Sequence, residues 1–62
     1  MKYFTTEQMD KKYNRLSLKE KNKILYEAVD IMNQYNGRTT DECIFLAMGY
    51  DLADTRWFKI QH

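Results

Sequence analysis

The fold class turns on residues 40–58, Thr40-Asp41-Glu42-Cys43-Ile44-Phe45-Leu46-Ala47-Met48-Gly49-Tyr50-Asp51-Leu52-Ala53-Asp54-Thr55-Arg56-Trp57-Phe58. Its core, Cys43 to Met48, is apolar on every side, and periodicity alone fits a buried strand as well as a buried helix. The flanks favour helix. Thr39-x-x-Glu42 has the spacing of a capping box, in which the two side chains satisfy orphan amides at a helix start, and Gly49 stands where a helix C-cap glycine belongs. Asp51 follows as an N-cap for another segment, so the stretch predicts a helix over roughly 40–48 and a short one over roughly 52–60.

Working toward the N-terminus, the same signature recurs as Thr5-x-x-Gln8 and Ser17-x-x-Glu20. These predict helices over roughly 6–16 and 18–36. Phe4 and Met9 have hydrophobic-staple spacing about the first cap, and Met9, Tyr13 and Leu16 form an apolar i, i+4, i+7 row. In the second helix Leu18, Ile24, Leu25, Ala28, Val29, Ile31, Met32 and Tyr35 fall within an arc of about 160° at ~100° per residue. A face that wide predicts two neighbours, which makes this the central helix. Proline is absent and the only glycines are Gly37 and Gly49, so breakers are few and placed between elements. The expected architecture is all-α: a compact three-helix domain with a short fourth C-terminal helical segment, one small helical domain over residues 1–62.

Composition narrows the class further. The 62 residues are 44% hydrophobic and 15% aromatic with a formal charge of +1, too apolar for disorder. A chain of this size buries only about 60% of its unfolded surface, so staples matter. Yet Cys43 is the only cysteine and His62 the only histidine, which excludes an internal disulfide and a four-ligand nitrogen and sulfur metal site. The longest apolar run falls well short of the ~20 residues that cross a bilayer, so no membrane partner is expected. The first residues lack a signal-peptide pattern, and an unpaired thiol suits a reducing compartment, so the cytoplasm is the expected location. The opening Met and complete local signals read as a whole gene product.

The C-terminal half also resembles the helix-turn-helix unit of small DNA-binding repressors: a short capped helix, a turn glycine at Gly49, and a second helix. The likeness covers about a third of the chain and makes Ile44, Met48, Tyr50 and Phe58 core positions. It implies a DNA-binding regulator using residues 40–60, with Arg56 and Lys59 toward the duplex. Two positions depart from the pattern: Phe45 stands where a small residue usually lets the helices cross, and Thr55 where Val or Ile is usual. The reading helix also carries Asp51 and Asp54, whereas phosphate binding depends on clustered cations.

Catalytic patterns are nearly missing. Glu27 and Asp30 sit three apart on a polar helix face, the ordinary arrangement of solvated carboxylates. Cys43 lies in an apolar run without a histidine nearby, as a core thiol does. His62 at the terminus is expected to fray. Two glycines twelve residues apart cannot form a phosphate-cradling loop. The sequence therefore predicts no enzyme, no cofactor and no bound metal.

Charge and aromatic content point to binding. Residues 1–23 hold seven basic and three acidic groups, a net of +4, and the remainder is −3. Lys19, Lys21 and Lys23 occupy early turns of the second helix, where the macrodipole disfavours cations. Nine aromatics exceed what a three-helix core encloses. Trp57 and Phe58, about 100° apart on a helix, cannot both point inward. Because Trp, Tyr and Arg dominate interface hot spots, Tyr50, Arg56, Trp57 and Phe58 are the first candidate contact set, and the basic residues Lys12, Arg15, Lys19 and Lys23 the second. The expected function is a small non-enzymatic protein-binding module, an inhibitor or regulator of a larger host protein. The phage or mobile-element type is suggested by size and by a Lys, Asn, Tyr and Ile content typical of A/T-rich coding genomes. Another protein is the leading partner, DNA the alternative, and a second copy of the chain a further one, since a symmetric dimer covers surplus apolar surface twice with one interface.

Overall fold

A computed structural model describes residues 2–60; His62, expected to fray, lies outside them. The chain runs β1 (Tyr3–Phe4), α1 (Thr6–Asn14), α2 (Leu18–Gln34), α3 (Thr40–Ala47), β2 (Tyr50–Ala53) and β3 (Arg56–Lys59). The three strands form an antiparallel sheet in the order β1-β3-β2. The fold is therefore α+β, and the all-α expectation is corrected: three helices stand, but no fourth helical segment forms over 52–60.

The three helix starts follow the capping signatures. Thr5 Oγ1 accepts the Gln8 amide at 3.2 Å while the Gln8 side chain accepts the Thr5 amide at 2.8 Å, a closed capping box. Ser17 and Thr39 likewise accept the amides of Glu20 and Glu42, each at 3.2 Å. There the glutamate accepts the cap hydroxyl instead of reaching back to the amide. Gly49 follows the α3 C-cap Met48 with φ of 94°, a left-handed position that glycine takes at least cost. Gly37 does not cap α2. That helix ends on Tyr35 in an extended conformation, and Gly37 turns the chain two residues later.

Residues 50–59 leave the helical expectation for identifiable reasons. Tyr, Thr, Trp and Phe favour the pleated, half-buried surface of a sheet. Ala53 pairs with Arg56, so Asp54 and Thr55 alone make the hairpin turn, Asp54 taking a positive φ of 63°. Asp51 does bond a backbone amide, but that of the adjacent Leu52 at 2.8 Å rather than one two or three residues on, as a helix cap would. The Ile60 amide donates to the Gly49 carbonyl at 2.9 Å and prolongs the ladder. Without a second helix the helix-turn-helix likeness has no reading element.

Strand alternation then sorts the side chains. Register pairs Phe4 and Leu52 with Trp57, and Tyr50 with Lys59, on one face; Tyr3 and Asp51 with Phe58, and Ala53 with Arg56, are on the other. The first face packs on α1 and α3. Met9, Phe45 and Trp57 are almost wholly enclosed there, with Phe4, Ile44, Leu46, Met48 and Tyr50 around them. Phe45 meets the Trp57 indole edge to face, 5.0 Å between centroids. The bulk that is out of place in a close helix crossing fills the wider gap between a helix and a sheet. Phe4, the staple residue packed on the Met9 cluster, is at the same time a strand residue.

The second helix is not central. It lies against α3, and Ala28 is its one buried side chain. Most of its apolar arc faces outward: Leu18 is 75% exposed, Leu25 40%, Val29 54% and Met32 41%. Among the described residues no helix is long and apolar enough to cross a membrane.

A candidate docking groove between the helices and the hairpin

The end of α1 supplies the first cations. Lys11 and Lys12 occupy its last turn, where they complement the dipole, and Arg15 is its C-cap. The Lys12 ammonium lies 4.2 Å from the Phe4 ring centroid, a cation–π contact that holds it above the start of the sheet. From the opposite end of the chain β3 brings Lys59 beside Tyr50 through the hairpin register. Lys12, Arg15 and Lys59 thus meet around an open groove of about 390 Å³ whose remaining walls are Leu16, Glu20, Ile24, Met48 and Tyr50. A smaller depression lined by Phe4, Gln8, Lys11, Lys12 and Arg15 adjoins it.

The groove is cationic at the rim and apolar at the floor. Glu20 is the only acidic residue in its wall. Among the described residues the single ion pair is Arg38 with Glu42 at 3.7 Å, so the groove cations have no carboxylate within salt-bridge distance. Tyr50 is half-buried and packs edge to face on Phe4 at 5.9 Å. Such a site can bind carboxylates through Lys and Arg while burying an apolar side chain. No cluster of three metal-ligating side chains lies among the described residues.

The structure divides the two candidate contact sets. Tyr50 joins Lys12 and Arg15 in the groove, whereas Lys23 lines a neighbouring hollow with Glu20 and Glu27, and Lys19 stands apart on α2. Trp57 is interior at 2% exposure and cannot meet a partner. Phe58 and Arg56 emerge on the opposite sheet face, where Tyr3 packs edge to face with Phe58 at 6.2 Å and lies under the Arg56 guanidinium at 5.3 Å. The expected aromatic and basic cluster of Tyr50, Arg56, Trp57 and Phe58 is thus split between two faces by strand alternation. Lys59, Leu16 and Met48 were not foreseen as groove residues. Lys59 becomes legible once a two-residue turn at Asp54-Thr55 is assumed, because counting back from it sets Lys59 opposite Tyr50. Compared with protein-family models, with curated proteins and with solved structures, the chain matches none.

Proposed function

We propose that the protein is a non-enzymatic binding module that takes an acidic segment of a larger partner protein into the groove between α1, α2 and the hairpin, and regulates that partner by occupying its surface. The observation that carries this reading is the convergence of Lys12, Arg15 and Lys59, without a salt-bridge partner among the described residues, around the apolar floor of Leu16, Ile24, Met48 and Tyr50. Cations alone would suit any anion. The floor adds a demand for buried apolar side chains, which a peptide of mixed acidic and apolar residues meets and a phosphate backbone does not.

The test is fluorescence polarisation with labelled acidic and apolar peptides, against a random duplex DNA, at low and physiological salt. Peptide binding is expected to weaken with salt and to fall about tenfold or more in Arg15→Glu and Lys59→Glu, which reverse exposed charges and keep the circular dichroism spectrum. Binding to the duplex but not to the peptides, or peptide binding indifferent to both substitutions, overturns the proposal.

A further inference from the structure

The outward face of α2 has a pattern of its own. Leu18, Asn22, Leu25, Val29 and Met32 follow one another at spacings of four, three, four and three, the alternation of a coiled-coil seam with Leu18, Leu25 and Met32 at d and Asn22 and Val29 at a. All five are exposed. No charged residue interrupts the seam, and its flanks are Lys19, Tyr26 and Asn33 on one side and Lys21 and Ala28 on the other. Tyr26, at the edge of the seam, is 82% exposed. Elsewhere in the apolar arc Ile24, Ala28 and Ile31 turn toward α3, so this helix carries two apolar faces and its own chain covers one.

We infer that the second face is covered by α2 of a second copy of this chain, running antiparallel. Charge selects both the occupant and the direction. Lys19, Lys21 and Lys23 lie in the first turns of α2, at the positive end of its dipole, while its last turn contains no basic residue to meet the free carbonyls there. An antiparallel copy places Lys19 and Lys21, which flank the seam, beside the carbonyl end of the other helix, and corrects the mismatch at both ends at once. A parallel copy would bring four seam-flanking lysines and two positive dipole ends together. In the antiparallel register Leu25 faces the partner's Val29 and Asn22 faces the partner's Met32, next to the carbonyl end, where the Asn22 amide finds acceptors. Tyr26 then lies beside the partner's Tyr26 across the two-fold axis. The seam is separate from the groove, so the dimer presents two grooves and does not depend on the function proposed for them.

Sedimentation equilibrium from about 1 to about 100 μM is expected to show the mass rising from the 7.6 kDa of one chain toward twice that value. Val29→Glu, at a site 54% exposed, is expected to keep the helical spectrum and weaken association about a hundredfold or more, because a lone carboxylate enters the seam; Met32→Lys carries the same expectation. Direction is read by a short thiol-to-thiol crosslinker, to which buried Cys43 does not respond. Tyr26→Cys is expected to crosslink to its own copy, and Asn22→Cys is not. A mass of one chain throughout, a dimer that survives both seam variants while they remain folded, or crosslinking through Asn22→Cys in preference to Tyr26→Cys overturns the inference.

Discussion

The Trp57 indole fills the middle of the core, yet its N–H is buried and has no hydrogen-bond acceptor among the described residues. Two terms therefore oppose each other when the residue is changed. Trp57→Ala removes the whole ring from contact with Phe45 and Met9 and is expected to cost ~3–5 kcal/mol, enough to unfold a domain of this size. Trp57→Phe loses part of the ring but also an orphan donor whose burial costs about 1–3 kcal/mol, so it is expected to remain folded with a far smaller loss. Phe58→Ala, on the open face of the sheet, is expected to melt only slightly lower than the parent. Thermal melts followed by circular dichroism rank the three, and equal losses for both Trp57 variants would show that a phenyl ring recovers none of the indole's packing. Asp54 offers a gain. Its φ of 63° strains a side-chain-bearing residue by about 1–2 kcal/mol, against the ~0.5–1 kcal/mol entropic cost of glycine. Asp54→Gly is thus expected to stabilise by up to about 1 kcal/mol, and Asp54→Val to destabilise; chemical denaturation of the two measures the sign.

At the scale of the element, the helix starts and the hairpin show why one kind of signal was readable and the other was not. A cap acts within four residues: the hydroxyls of Thr5, Ser17 and Thr39 accept the amides of Gln8, Glu20 and Glu42, although only the first pair closes a reciprocal box. Asp51 imitates a fourth cap, and Gly49 ahead of it serves a helix end and a strand start equally well. What separates the two outcomes is pairing. Arg56–Lys59 becomes a strand because Tyr3–Phe4 lies on one side of it and Tyr50–Ala53 on the other, and the first of these contacts spans nearly the whole chain. The caps also carry unequal weight. The helix α2 buries little besides Ala28, so Ser17→Ala, which removes its cap at a typical cost of ~1 kcal/mol, is expected to lower helical content below the main transition. Thr39→Ala, in a helix anchored by Cys43 and Phe45, is expected to shift the global melt instead. Far-ultraviolet circular dichroism at temperatures below the melt separates the two behaviours.

For the whole molecule, burial is concentrated where α1, α3 and the sheet meet, and α2 stands outside that centre. Local opening follows the density of buried contacts. Amide exchange is therefore expected to be slowest in β3 and α3 and markedly faster along α2, with protection of α2 rising with protein concentration if its outer face is paired. Uniform protection across α2 and β3 in dilute solution would show instead that α2 belongs to the same cooperative unit.

The candidate site divides in the same way. The cations Lys12 and Arg15, and the aromatic Tyr50, stand out by residue type and net charge, and the apolar seam of α2 is a periodicity within one helix. These are local properties, set by spacing along the chain. That Tyr50 faces Lys12 while Phe58 faces away, that Trp57 is the ring enclosed, that Lys59 completes the groove and that most of the α2 arc is left uncovered depend on which distant segments come together. Capping, helix periodicity and surplus charge act over a few residues and were determined by the amino-acid order alone. The sheet, its register and the faces it creates exist only once Tyr3–Phe4, Tyr50–Ala53 and Arg56–Lys59 exchange backbone hydrogen bonds, so tertiary structure decided them.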